Sequence, residues 1–160
     1  MAIRGRFRGQ GLQGIDAKGR VAIPASLRAM IERNSTEKIV LLGINEADGC
    51  VTGSDIGQSE VDYEKMERER ERALEQNREP NLPVSADVMF GITEELPFDS
   101  SGRFIIPPFF REEAGLTDLA FFLGRGDHFA IWNPQRVLDS GKDAIVQRAV
   151  RSLLAQRGIA

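Results

Sequence analysis

Cysteine and histidine are almost missing from this sequence. The 160-residue chain holds one of each, Cys50 and His128. A lone cysteine excludes an intrachain disulfide, and the two residues are too few for a Cys/His zinc site, so no metal centre is expected. The patterns GxSxG and GxxxxGK[ST] are absent too, and no nucleophile–base–acid set is visible. No apolar run approaches the roughly 20 residues that cross a bilayer. The opening MAIRGRFRGQG has basic residues with no apolar stretch behind them, so no secretory signal and no membrane partner are expected. What is present, 41% apolar and 28% charged residues, is ordinary for a cytosolic globular chain with a core of its own.

The net charge of −3 hides a segregation. Residues 1–28 carry Arg4, Arg6, Arg8, Lys18, Arg20 and Arg28 against Asp16 alone, a net +5. Residues 136–160 carry a net +3, which leaves −11 on the stretch between. A basic head on an acidic body makes a local electrostatic footprint. It suits a polyanionic partner, or it serves solubility alone.

The chain also repeats itself. DAKGRVAIPASLR (16–28) aligns without a gap on DSSGRFIIPPFFR (99–111) at an offset of 83. The pairs Asp16/Asp99, Gly19/Gly102, Arg20/Arg103, Ile23/Ile106, Pro24/Pro107 and Arg28/Arg111 coincide. TEKIVLLG (36–43) and TDLAFFLG (117–124) continue the match more weakly. Each half reads as a strand (Phe7–Ile15; Ile92–Phe98), a tight D-x-x-G-R turn, a short strand (Val21–Ile23; Phe104–Ile106) and a proline-led helix (Ala25–Asn34; Pro108–Ala114). A hairpin follows in each half (Ile39–Gly43 with Cys50–Thr52; Ala120–Leu123 with Phe129–Trp132). A unit this small buries little alone, so the halves are expected to interleave in one pseudo-symmetric barrel. Between them, 59–78 reads as a charged helix held by local ion pairs, with Val61, Met66, Ala73 and Leu74 as a thin apolar seam. A helical turn over Ser85–Phe90 follows. A helix over about 135–157 ends the chain, its wide stripe of Ile145, Ala149 and Leu153 with Val146, Val150 and Leu154 beside them packing on the barrel or on a neighbouring subunit.

Two D-x-x-G-R-x-x-x-P motifs about eighty residues apart, together with Phe7-Arg8-Gly9 near the start and R-x-x-A-G-L (Arg111 to Leu116), resemble the MraZ family. The resemblance covers about residues 7–155. It implies an α+β, β-rich fold: a double swapped-hairpin AbrB-like barrel from two tandem repeats, with a charged linker helix and a C-terminal helix. The divisions would be 7–55 (SpoVT-AbrB-like repeat 1), 56–91 (helical linker), 92–135 (repeat 2) and 136–160 (C-terminal helix). It further implies a cytoplasmic, nucleoid-associated transcriptional regulator, usually a repressor. Such a protein binds repeated G-rich boxes in double-stranded DNA upstream of the division and cell-wall gene cluster. It does so as a ring-shaped homo-oligomer, with no cofactor and no small-molecule substrate. The sequence departs from the pattern at Cys50-Val51-Thr52-Gly53, where the fourth strand of the first unit is expected to be short or irregular. Ser101 stands where the first motif has Lys18.

The residue chemistry fits DNA. Arginine presents a planar fork to guanine O6 and N7, or to a phosphate; lysine offers a point charge. Arg20 is the expected base reader, with Lys18, Arg8 and Arg6 on phosphates, one continuous basic surface if residues 4–8 are extended. Gly19 leaves room for close approach. Asp16 and Asp99, with Gly19 and Gly102, are expected to build the turns. Arg103 is open between DNA contact and bracing, and Arg20 could likewise only brace Asp16. Arg28 and Arg111 read as structural or subunit contacts. The competing function is an oligomeric scaffold whose basic arm binds an acidic protein. Gly9 to Gly14, formally GxGxxG, lacks the strand–helix context of a dinucleotide site. His128 reads as a surface turn residue, Cys50 as a half-buried strand residue and Trp132 as a core anchor.

Overall fold

The computed structural model describes residues 3–141 and 143–159. In chain order the elements are β1 (Gln10–Gly14), β2 (Arg20–Ala22), α1 (Ala25–Asn34), β3 (Ile39–Asn45), β4 (Cys50–Ser54), α2 (Gln58–Glu75), a π-helical turn (Asp87–Gly91), β5 (Glu94–Pro97), β6 (Arg103–Ile105), α3 (Pro108–Ala114), β7 (Leu119–Gly124), β8 (Phe129–Trp132), α4 (Pro134–Asp139) and α5 (Ala144–Gln156). The fold is α+β, rich in antiparallel sheet.

Six strands form one sheet in the order β1-β7-β8-β4-β3-β5, and β2 pairs with β6 in a separate two-stranded ribbon. Pairing crosses between the two halves of the chain in β1–β7, β3–β5, β4–β8 and β2–β6. Among the described residues no closed barrel is seen. β1 and β5 are the edges of the large sheet and pair with inner strands, not with each other. Each edge strand runs into a D-x-x-G-R turn that carries the chain out of the sheet, and the next strand spends its hydrogen bonds inside the β2–β6 ribbon. The β5 edge carries Glu94, Glu95 and Pro97, residues that discourage a further strand from adding there.

Apolar cores lie on both faces of the sheet. In β7, Ala120 and Phe122 join Val21, Leu27, Ile31, Phe104, Ile106 and Phe110 in the larger core beneath α1, α3 and the ribbon. Phe121 points the other way, into a second core with Cys50, Ala130, Trp132, Val137 and Val150 under α4 and α5. That is why LAFFLG reads as a continuous apolar run and not an alternating one. β4 is likewise a regular five-residue strand, since Cys50 and Val51 each fill one of the two cores. The expected irregularity is absent because Gly53 makes room for the Phe129 ring, which lies 2.5 Å from where a Cβ would stand.

Several boundaries shift. The first strand begins at Gln10, not Phe7, and Phe7 joins through an isolated bridge to Gly126. The strand expected from Ile92 begins at Glu94 because the preceding residues coil into the π-helical turn. The single C-terminal helix is two: the chain turns at Ser140 and Gly141, the latter at φ +69°. Lys142, inside that span, lies outside the described residues. The apolar stripe of α5 is narrower than the expected one. Ile145 is 65% exposed, while Val146, Val150, Leu153 and Leu154 pack on the sheet. Gln58–Glu75 is the charged linker helix, with Met66 and Ala73 buried and Leu74 exposed. Arg70–Glu67 pairs at 2.8 Å, and Arg78 reaches back from beyond the helix to Glu69 at 2.6 Å.

Candidate nucleic-acid interface

The two D-x-x-G-R turns have the same hydrogen-bond pattern. Asp16 Oδ1 accepts the backbone N–H of Lys18 and of Arg20, both at 2.9 Å, while Oδ2 accepts Arg20 Nε at 3.0 Å. Asp99 Oδ1 accepts Ser101 and Arg103 N–H, both at 2.9 Å, and Oδ2 accepts Arg103 Nε at 2.9 Å. Gly19 (φ +86°) and Gly102 (φ +80°) hold the positive φ that closes each turn. The N–H bonds, led by that of Arg20 in one turn and Arg103 in the other, hold both aspartate carboxyls below the usual carboxylate range. Both stay ionised at neutral pH and fix the guanidinium planes of their arginines.

The turns are not hairpin tips. Each passes the chain from the six-stranded sheet to the ribbon, whose register pairs Arg20 with Ile105, Val21 with Phe104 and Ala22 with Arg103. Side chains alternate along a strand. Val21 and Phe104 therefore point into the core, and Arg20, Ala22, Arg103 and Ile105 share the outer face. The side chains of Arg20 and Arg103 are each 49% exposed. Their terminal nitrogens have no hydrogen-bond partner among the described residues; only Nε is engaged. Shallow open grooves flank the ribbon, and both arginines line each of them.

Two further arginines stitch the turns together, and sequence reasoning placed them only loosely. Arg28, half-buried on α1, donates from Nη1 to Ser101 O at 2.6 Å and covers Gly102. Arg111, on α3, donates from Nε to Ile106 O at 2.9 Å, and its guanidinium lies over Gly19. The space above Gly19 is thus filled by Arg111 and is not the open approach expected. Ile23 N–H donates to Gly102 O and Ile106 N–H to Gly19 O, both at 2.9 Å, so each glycine also receives a bond from the opposite half.

The basic arm lies elsewhere. Arg4 reaches inward, its Nη2 at 2.7 and 2.8 Å from the two oxygens of Asp55, which is fully buried. Asn34 Nδ2 and Gly57 N–H also donate to that carboxylate, at 3.3 and 3.0 Å. Arg6 pairs with Asp127 at 3.3 Å, and Asp127 also takes Lys65 of α2 at 3.2 Å. Arg8 is exposed. Arg6 and Arg8 precede β1 while Lys18 and Arg20 follow it. At about 3.3 Å per residue, the intervening strand separates the two groups by about 15 Å or more. The structure brings together Lys18, Arg20 and Arg103; it does not join Arg6 and Arg8 to them in one continuous surface. Arg4 gave no sequence signal of burial, since its partner lies 51 residues away.

A family model described as "MraZ protein, putative antitoxin-like" matches residues 89–137, which span the second D-x-x-G-R turn and the β7–β8 hairpin. Curated relatives match far more of the chain. "Transcriptional regulator MraZ" of Syntrophobacter fumaroxidans is 34% identical over 127 residues, 79% of each chain. The same-named protein of Rhodospirillum rubrum is 33% identical over 121 residues, covering 75% of this chain and 74% of its own. That of Pseudomonas fluorescens is 32% identical over 127 residues, 79% of this chain and 80% of its own. The chain belongs to the MraZ family. For a family member, the ribbon and its two turns are where the repeated sequence motifs meet in space.

The remaining chemically notable residues gather no site. Cys50 is buried in the second core, more deeply than the half-buried strand position expected. His128 is partly buried beside Arg125, and burial first, then that guanidinium, pushes its pKa below the usual histidine value. Trp132 is a core residue. Among the described residues no group of three or more His, Cys, Asp and Glu could hold a metal ion, and no helix is long and apolar enough to cross a membrane.

Proposed function

We propose that this chain is a transcriptional regulator that binds double-stranded DNA through the outer face of the β2–β6 ribbon. The observation that carries the reading is the co-facial pair Arg20 and Arg103. Both guanidiniums are anchored through Nε by an aspartate, with their terminal nitrogens facing solvent. A two-stranded ribbon fits the major groove, and an arginine held in one plane loses less freedom when it bonds guanine O6 and N7. Lys18 takes a neighbouring phosphate. Arg8 and Arg6 stand a strand length away and serve phosphates further along the duplex. Asp16, Gly19, Asp99 and Gly102 shape the turns and touch no base.

The rest of the reading follows from the family. The relatives are named transcriptional regulators. We propose tandem repeats over 7–55 and 92–135, joined by a helical linker over 56–91 and followed by a C-terminal segment over 136–160. The protein would act without catalysis or cofactor, in the cytoplasm and on the nucleoid. It would bind repeated G-rich boxes upstream of its own operon in the division and cell-wall cluster, as a ring-shaped homo-oligomer and a repressor. A single ribbon with a few charged contacts binds DNA weakly. Several identical ribbons on tandem boxes gain by effective concentration.

The test is fluorescence anisotropy with duplex from upstream of this protein's gene and a scrambled duplex, over a salt series. Wild type is expected to prefer its own duplex, with log affinity falling by about 0.9 per phosphate contact per log unit of salt. Arg20→Ala should lose the preference, at about 10- to 100-fold for one bidentate contact. Equal binding of both duplexes by wild type refutes the reading and returns the scaffold alternative.

A further inference from the structure

The ribbon's outer face carries an apolar side chain between its two arginines. Ile105 is 51% exposed and stands directly across from Arg20 in the register. An isolated surface isoleucine is unremarkable. This one occupies one of only four outward positions on the ribbon, and two of the others are Arg20 and Arg103. The offset of 83 that aligns the two motifs maps Ile105 onto Ala22, which faces Arg103 across the ribbon. The ribbon is therefore nearly two-fold in its arginines and not two-fold beside them: one arginine has an isoleucine as its cross-strand neighbour, the other an alanine.

We infer that Ile105 is a specificity residue that packs on the C5-methyl of a thymine next to the base held by Arg20. The inference rests on the DNA-binding reading above. Directly opposed residues in an antiparallel pair hold their Cβ atoms about 5 Å apart. Successive base pairs are stacked 3.4 Å apart. With Arg20 on one base pair, Ile105 thus lies over an adjacent one. The only apolar group that a base pair shows in the major groove is the thymine methyl, and an aliphatic side chain is its natural partner. Ala22 is shorter and half-buried, so the Arg103 side makes a weaker demand for thymine. The result is a directional preference: a ribbon symmetric in its charges reads an asymmetric step.

The experiment uses the full-length protein and a duplex whose protected box has first been located by footprinting upstream of its gene. Every thymidine in the box is then replaced by deoxyuridine, which removes the methyl and leaves the pairing edge intact. Wild type is expected to bind the uracil duplex about three- to fivefold more weakly, the worth of one buried methyl. Ile105→Ala should bind the thymine duplex about as weakly, and should not distinguish the two duplexes. Ile105→Val, which keeps the β-branched shape, should retain most of the discrimination. Because Ile105 is half exposed, both variants should keep the wild-type melting temperature within a few degrees. If wild type prefers its own duplex over a scrambled one yet ignores the methyl, or if Ile105→Ala senses it as wild type does, the inference falls and the DNA-binding reading stands. If wild type binds own and scrambled duplexes alike, both fall.

Discussion

Ala substitutions at Gly102 and Gly126 separate two costs that a glycine can conceal. Both residues have positive φ, +80° and +86°. A Cβ in that region costs about 1–2 kcal/mol from the backbone alone. At Gly126 an added Cβ meets nothing within 4 Å, so that is the whole loss. At Gly102 it would stand 2.5 Å from Arg28 Nη1, 2.9 Å from Arg28 Cδ and 3.2 Å from Ile23 O. Arg28 must move, and its 2.6 Å bond to Ser101 O goes with it. A hydrogen bond from a charged donor contributes about 1.5–3 kcal/mol, and the half-buried setting favours the lower end. Gly102→Ala should therefore lose about 1.5 kcal/mol more than Gly126→Ala. For a chain of this size that is a gap of about 3–6 °C in Tm at matched protein concentration. Thermal melts by circular dichroism suffice. In an Arg28→Ala background only the 3.2 Å approach to Ile23 O remains, so Gly102→Ala should fall most of the way to the Gly126 value. Equal losses for the two glycine variants, or no change on removing Arg28, would refute the claim that the opposite half's arginine is what seals this turn.

Arg4→Ala leaves Asp55 buried with only Asn34 and Gly57 as partners. It should cost about 3 kcal/mol in urea unfolding, at the low end for a broken buried pair, and adding Asp55→Asn should recover part of that. His128 titrates below its unfolded value in the folded protein, so its contribution is intact above about pH 6.5 and lost as pH falls through the folded pKa. Wild type should accordingly lose Tm between pH 7 and 5.5, and His128→Gln should flatten that slope. Glu69 is held down to about 2 by the hydrogen bond from Arg78. Wild type should be more stable than Glu69→Gln above about pH 4.5, with the difference vanishing by about pH 2.

The alignment at offset 83 exposed what is local and repeated. It located both turns and both proline-led helices, and α1 and α3 run over the very residues expected. Hairpin strands were found within a residue or two because β-branched and aromatic runs stand between Gly and Asp turns. Long-range partnerships were not legible. Arg4 looks like any other arginine in a basic head, yet it is drawn 51 residues away to a carboxylate that the fold has buried. The periodicity of the C-terminal segment was clear, but it marked a stripe wide enough to include Ile145, which the fold leaves exposed. Which residue faces inward was decided by the sheet beneath it, to which Val150 is fully committed. For the candidate site, residue types were legible and their placement was not. Alternation predicted a shared side for residues 4, 6 and 8, whereas partners on two separate elements pull Arg4 and Arg6 apart.

That difference bears on how the proposed reading face comes into being. β2 and β6 are three residues each and come from opposite halves of the chain. Neither has another partner in the sheet topology. A two-stranded ribbon is marginal by itself in water, so this one depends on Val21 and Phe104 reaching the common core and on Arg28 and Arg111 crossing from one half to seal the other. Arg20 and Arg103 become co-facial only once both halves have folded together. An unfolded or half-folded chain keeps the same basic head, a net +5 over residues 1–28, and can still cling to DNA through it. It cannot present two guanidiniums on one ribbon face. A variant that loosens the seal, such as Arg111→Ala, should therefore lose preference for the cognate duplex before it loses salt-sensitive, sequence-independent binding. Anisotropy titrations against cognate and scrambled duplex would show the ratio of the two affinities collapsing toward one while the weaker affinity stays put. A parallel fall in both would instead mean that Arg111 contributes charge and not geometry.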